Sequence, residues 1–140
     1  IAETRLEKAC VEHTQRELKK GTPYVIGCST ELEQLIESEQ IHKGITATAG
    51  GFYGPQGRVL RLGIQDSALN SKMDSFSFEG HRITNLEMET SAIYGLGKLL
   101  GHHCLSMNAI IANRANGTFS QDPYKAVDEL ILYTLNKLAQ

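Results

Sequence analysis

With 140 residues, 41% of them hydrophobic, and a formal net charge of −2, the chain is long enough for one domain with a core but has no basic stretch that could neutralise a run of phosphates. Nucleic acid and membrane surfaces are not expected partners. The longest apolar runs, Ala109 to Ala112 and Leu130 to Leu132, fall far below a membrane span, and no basic region followed by an apolar one opens the sequence, so the expected compartment is the cytoplasm.

From Ile1 to about Lys20, Leu6, Cys10 and Leu18, with Ala2 and Ala9 beside them, fall on one stripe of an amphipathic helix; Lys19 and Lys20 suit its negative end and Gly21 its exit. The sequence begins inside this helix with no capping residue ahead of Ile1, which reads as part of a longer polypeptide. Tyr24 to Gly27 is a short apolar run, after which Ser29 or Thr30 caps a helix reaching about Ser38, with Leu32, Leu35 and Ile36 facing inward. His42 to Thr48 alternates small and β-branched residues and reads as a strand ending at Gly50-Gly51, in a loop that holds Phe52 to Arg58.

Leu60 to Gly80 shows no clear period, and Met73, Phe76 and Phe78 are expected to pack it down. Thr84 or Asn85 reads as a turn residue before a helix whose stripe is Ala92, Ile93, Leu96, Leu99 and Leu100 and whose stop is Gly101. Leu105 to Ala112 reads as a buried strand. Asp122-Pro123 is a cap followed by a proline at the first helical position, and Val127, Leu130, Ile131, Leu135 and Leu138 recur at helical spacing to the end. Strands separated by helices predict an α/β domain over residues 1–140, part of a three-layer α/β/α sandwich with a mostly parallel or mixed central sheet and ligands beyond the strand ends.

Three segments carry chemistry. Glu87-Met88-Glu89 opens a helix, where acids are favoured by the helix dipole at roughly 0.3 to 1 kcal/mol whatever their function. Met88 between the acids adds a second meaning: a carboxylate accepts from neighbouring hydroxyls of a ribose while a thioether packs on the carbon face of the sugar. Gln56 and Arg58 are loop polars after a tight turn, yet an amide and a planar donor fork two residues apart complement the O–C–NH–C–O edge of uracil. Phe52 belongs either to the core or beside the base or sugar.

Ala109-Ile110-Ile111-Ala112 offers an apolar wall. Arg114 beyond it sits most simply in solvent at the strand exit, a place that keeps a site role open. Asn113 lacks the proton that an acid would supply to a departing purine, which tilts the reading toward a pyrimidine. The adjacent His102, His103 and Cys104 do not converge on one ion, and His13, His42 and His81 are isolated, so no metal site is expected. Cys10, Cys28 and Cys104, odd in number and far apart, fit neither a disulfide framework nor a zinc spacing and read as reduced thiols. No phosphate-cradling glycine motif and no nucleophile elbow occurs.

Phe52-x-x-x-Gln56-x-Arg58, Glu87-Met88-Glu89-x-x-Ala92 and Ile111-Ala112-Asn113-Arg114, in this order, resemble the nucleoside phosphorylase family and within it the uridine phosphorylase branch. The resemblance covers His42 to Gln140 as the C-terminal half of such a protein. It implies phosphorolysis of uridine to uracil and ribose 1-phosphate, with inorganic phosphate as co-substrate and no cofactor. Phe52, Gln56, Arg58, Ile111 and Ala112 would then serve the base, Glu87, Met88 and Glu89 the ribose, and Asn113 and Arg114 the support of the base pocket, with Arg58 and Glu89 as the catalytic pair.

The family also implies a role in nucleotide salvage and a homo-oligomer, dimer or hexamer. Its phosphate subsite, a glycine-rich loop with arginines and a Thr from the N-terminal half, has no counterpart in these residues, so the 140 residues alone are expected to be inactive. A purine-directed phosphorylase or nucleosidase of the same family, or a non-catalytic nucleoside-binding module, are the alternative expectations.

Overall fold

The computed structural model describes residues 4–15 and 23–140. Helix α1 (Thr4–Thr14) buries Leu6, and the carboxylate of the buried Glu7 accepts the Val25 N–H at 2.8 Å, which ties the Tyr24 to Gly27 run to this helix. The remainder of the expected first helix, Leu18 and Gly21 included, lies outside the described residues. Helix α2 (Thr30–Ile36) is capped by Ser29, whose hydroxyl accepts from the Leu32 N–H at 3.3 Å. It ends before Ser38 because Glu37 already turns to an extended backbone.

Strand β1 (Ile45–Thr48) leads into a loop with a single 3₁₀ turn at Gly54–Gln56. The stretch without a clear period resolves into α3 (Leu69–Ser75) and β2 (Ser77–Phe78), and Phe76 between them is 1% exposed. Met73 and Phe78 are half-buried, so packing-down of the region falls chiefly to Phe76. Glu79 and Gly80, both at positive φ, turn β2 back into β3 (His81–Glu87). Thr84 and Asn85 are therefore strand residues and not the expected turn.

β3 is the middle strand, parallel to β1 and antiparallel to β2, giving a three-stranded mixed sheet. Its register with β1 slips by one residue: Ile45 pairs with Ile83 but Thr46 pairs with Asn85, which leaves Thr84 as the bulged residue. Gly44 permits this, since a Cβ there would fall 2.0 Å from the Thr84 hydroxyl oxygen. Only a glycine leaves room at this position for the Thr84 side chain.

Helix α4 (Thr90–Leu100) packs on β1 and ends at Gly101, which adopts the left-handed conformation. Leu105 to Ala112 does not form the expected strand; the Ser106 N–H donates to the Tyr94 phenol at 2.6 Å in place of a ladder partner. Only Ala112 enters a ladder, in the hairpin of β4 (Ala112–Asn113) and β5 (Thr118–Phe119). Helix α5 (Pro123–Leu138) is capped by Asp122, whose carboxylate accepts the Lys125 N–H at 2.9 Å, and packs on α2 through the Tyr133 hydroxyl, which donates to the Ile36 carbonyl at 2.5 Å.

Among the described residues the buried apolar side chains are Leu6, Ile36 and Phe76. The expected apolar stripe of α4 stays open, with Ile93, Leu96, Leu99 and Leu100 all more than half exposed, and Leu35 of α2, expected to face inward, is exposed as well. Periodicity places these residues on one face, and among the described residues nothing covers that face. A broad cleft of about 2240 Å³ runs beside β1, between the loop that follows it and the segment after α4. No helix among the described residues is long and apolar enough to cross a membrane.

Candidate functional site

Two loops leave the same edge of the sheet. β1 and β3 run parallel with Thr48 opposite Glu87, so the glycine loop and the acidic turn both start at the carboxyl ends of adjacent strands. In α/β sheets this edge is where ligands bind.

The glycine loop is rigidly folded. The backbone N–H groups of Gln56 and Arg58 both donate to the Tyr53 carbonyl at 3.0 Å, and Gly57 takes φ +71°, which re-aims the chain between Gln56 and Arg58. Arg58 folds back over the loop. Its guanidinium lies 3.6 Å from the centre of the Phe52 ring, donates to the Phe52 carbonyl and donates to the Gln56 side-chain oxygen at 2.6 Å. Phe52 is itself half exposed, so it serves as a platform for the cation and not as core.

Gln56 is 3% exposed and is the point where the third segment arrives. Arg114, just beyond β4, donates through Nη1 to the Gln56 carbonyl and through Nη2 to its side-chain oxygen, both at 2.7 Å. One amide oxygen thus accepts from two guanidinium groups. Burial lowers the pKa of Arg114, and the nearby charge of Arg58 lowers it further, which is the signature of two cations held together. Arg114 stays exposed, as expected at a strand exit, but these contacts tie its guanidinium to Gln56.

The acidic turn is organised by Glu87. One carboxylate oxygen accepts the Thr48 hydroxyl at 2.5 Å, and the other accepts the N–H groups of Glu89 and Thr90, each at 2.6 Å. Burial acts to raise the pKa of Glu87, but the hydrogen bonds from Thr48, Glu89 and Thr90 outweigh it and hold the carboxyl below its usual value. Glu89 is exposed, its carboxylate accepting the Met88 N–H at 3.2 Å, and Met88 is 40% exposed. These two side chains are the ones the turn presents outward.

Of the expected residues, Arg58 lines the cleft directly. Phe52, Gln56, Glu87, Met88 and Glu89 do not line it, although their sequence neighbours Tyr53, Leu86 and Thr90 do. On the apolar side Ile110 lines the cleft; Ile111 and Ala112 stand in the hairpin, where the Ile111 carbonyl accepts from the Ser120 N–H at 2.7 Å. The Asn113 side-chain oxygen accepts the Ala115 N–H at 3.0 Å and so shapes the hairpin turn.

Sequence reasoning did not single out Thr48, Thr90, Tyr94 or Ser106, which join the strand ends to α4. The Thr90 hydroxyl donates to Ser106 at 3.2 Å, and Thr48 accepts the Ser91 N–H at 2.9 Å. A hydroxyl at the last residue of a strand ahead of Ala-Gly-Gly is the signal that could have marked Thr48. Among the described residues no group of three or more His, Cys, Asp or Glu side chains is placed to hold a metal ion, and His103 is instead 2.9 Å from the Ser29 hydroxyl at the cap of α2.

A search among proteins of curated function gives no significant match. The fold is similar to the crystal structure of a Trypanosoma brucei nucleoside phosphorylase described as showing uridine phosphorylase activity, with a TM-score of 0.74 and 25% sequence identity, over 99% of this chain and 50% of that one. The chain therefore spans about half the length of the structure it matches. The model of the phosphorylase superfamily matches residues 7–138, which takes in all three site segments, and the chain belongs to that superfamily.

Proposed function

We propose that this chain supplies the base and ribose subsites for phosphorolysis of uridine or a close pyrimidine nucleoside, within a complete three-layer α/β/α phosphorylase domain. The observation that carries this reading is the convergence of Arg58 and Arg114 on the side-chain oxygen of Gln56. With that acceptor occupied and Gln56 almost wholly buried, the groups left for a ligand are the remaining N–H groups of the two cations. A donor-only site suits uracil leaving as an anion, whose charge develops on its ring and carbonyl oxygens as the glycosidic bond stretches. Such an interaction grows toward the transition state and so accelerates the step.

The acidic turn takes the sugar. Glu89 accepts from the ribose hydroxyls and Met88 packs on the carbon face, fixing the anomeric carbon so that phosphate meets it from the side opposite the base. Asn113 supports a pyrimidine over a purine, because its amide shapes the hairpin and supplies no proton to a leaving base. The phosphate subsite and the closing of the pocket fall to residues outside these 140, in a homo-oligomeric enzyme, so this chain by itself binds a nucleoside without turning it over. No cofactor or metal enters the reaction.

Incubation of the intact natural protein with uridine and phosphate tests the reading through release of uracil. Release that does not depend on phosphate would assign a hydrolytic nucleosidase instead. Binding of uridine with no turnover and no effect of phosphate would assign a non-catalytic nucleoside-binding module.

A further inference from the structure

We infer that Thr48 and Glu87 form a positioning pair that sets the sugar-binding turn, with Glu87 acting through the backbone of Glu89 and not as a ligand of the ribose itself. The inference rests on the proposed nucleoside site but assigns new work within it. Glu87 spends its carboxylate inside the loop: Oε1 on the Thr48 hydroxyl at 2.5 Å, and Oε2 on the N–H groups of Glu89 and Thr90 at 2.6 Å each. Charge-assisted bonds of this length are the strong ones. They fix the backbone of the two residues that follow Met88, and so the direction in which Met88 and Glu89 project.

Thr48 completes the device with one oxygen. Its hydrogen goes to Glu87, and its lone pair accepts the Ser91 N–H at 2.9 Å, in the first turn of α4. The end of β1, the end of β3 and the start of α4 are thereby locked at a single hydroxyl. The same strand end carries the glycine loop: the Ala49 N–H donates to the Glu87 carbonyl at 2.8 Å, immediately before Gly50 and Gly51. Thr48 therefore fixes the spacing between the base-binding loop and the sugar-binding turn. A nucleoside bridges those two loops, so a shift between them costs alignment of its glycosidic bond.

Substitution by valine keeps the shape of Thr48 and removes both hydrogen bonds, whereas serine keeps the hydroxyl. In the intact natural protein, Thr48→Val is expected to raise KM for the nucleoside by at least about tenfold, the scale of a lost hydrogen bond to a charged group. KM for phosphate should hold, and Thr48→Ser should return the nucleoside KM to within about threefold of wild type, since one hydroxyl again serves both partners. A purely structural role would lower the melting temperature without separating the two KM values.

Amide hydrogen exchange gives a readout that needs no turnover: the Glu89 and Thr90 amides should exchange faster in both Thr48→Val and Glu87→Ala. If wild type releases no base from any nucleoside, the proposed function falls and the exchange rates alone decide this inference. An active wild type whose Thr48→Val form keeps its nucleoside KM, or unchanged exchange at Glu89 and Thr90, overturns the positioning pair.

Discussion

Arg114 grips Gln56 twice across 58 residues of sequence, at the backbone carbonyl and at the side-chain oxygen, both at 2.7 Å. This pair docks the β4–β5 hairpin onto the glycine loop and brings a second cation beside Arg58. Removal of Arg114 should therefore act on the base and on the loop together. Arg114→Ala is expected to reduce kcat/KM for uridine by about 100- to 1,000-fold, the range for a lost donor to a developing anion. A double-substitution cycle with Arg58→Ala should show strong coupling, about 0.5 to 3 kcal/mol, because both groups act through one oxygen. Strict additivity of the two effects would show that they act separately.

Gln56→Glu separates charge from shape. A carboxylate at this buried position would accept from both guanidinium groups in the existing geometry and neutralise part of their charge. The fold should survive, and the melting temperature should hold or rise. The stabilisation of a departing anion should fall, with a loss in kcat of roughly 100-fold. Unchanged kcat in a folded variant would contradict the donor-only reading of the base site.

Gly57 carries φ +71°, and a Cβ there would stand 2.4 Å from the Asn70 side-chain oxygen. Gly57→Ala should cost about 1 to 2 kcal/mol for the left-handed backbone alone. Because the residue stands between Gln56 and Arg58, the loss should appear in base affinity as well as in thermal stability. Calorimetric unfolding and uridine titration on the same sample measure both.

The acid limb follows from Glu87. Its folded pKa is depressed below the ordinary value of 4.5, so the stability it contributes is fully present above about pH 4.5 and is lost as the pH falls through the lower folded value. Glu87→Gln should remove this contribution. The difference in stability between wild type and variant should be constant near neutral pH and shrink on acidification below about pH 4.5. Unfolding by denaturant at several pH values checks the slope; a difference that grows on acidification would contradict the assignment.

The candidate site is legible in sequence where its pieces are local. Gly50-Gly51 with Gln56 and Arg58, and Glu87-Met88-Glu89 ahead of an apolar helix, declare a loop and a helix start by composition alone. The caps Ser29 and Asp122 and the stop at Gly101 followed from the same local chemistry. What escaped depends on distant partners. β3 alternates few apolar residues, Ile83 and Leu86 among polar and charged ones, and owes its existence to pairing with β1 and β2.

The Glu79-Gly80 turn lacks the Asn-Gly or Asp-Gly pair that marks such hairpins, so β2 and β3 were not read as joined. Arg114 is exposed at its strand exit, as its position suggests, but nothing near it in sequence announces the contact with Gln56. The stripe of α4 was correctly periodic, yet period alone does not say what covers a face, and in this chain Leu96 and Leu99 stay exposed. Thr48 carries only the local signal of a hydroxyl at a strand end ahead of Ala-Gly-Gly, and its meaning appears with Glu87 opposite.

The central claim is that cations gathered at Gln56 and an acid at Glu89 hold the two ends of one nucleoside. Titration of the intact natural protein with uridine, followed by phosphate, measures this most directly. The account predicts saturable uridine binding that weakens at least about tenfold in Arg58→Ala and in Glu89→Ala, as expected for lost hydrogen bonds to charged groups, and release of uracil once phosphate is added. Uridine affinity unchanged in both variants, or no uridine binding at all, would contradict it.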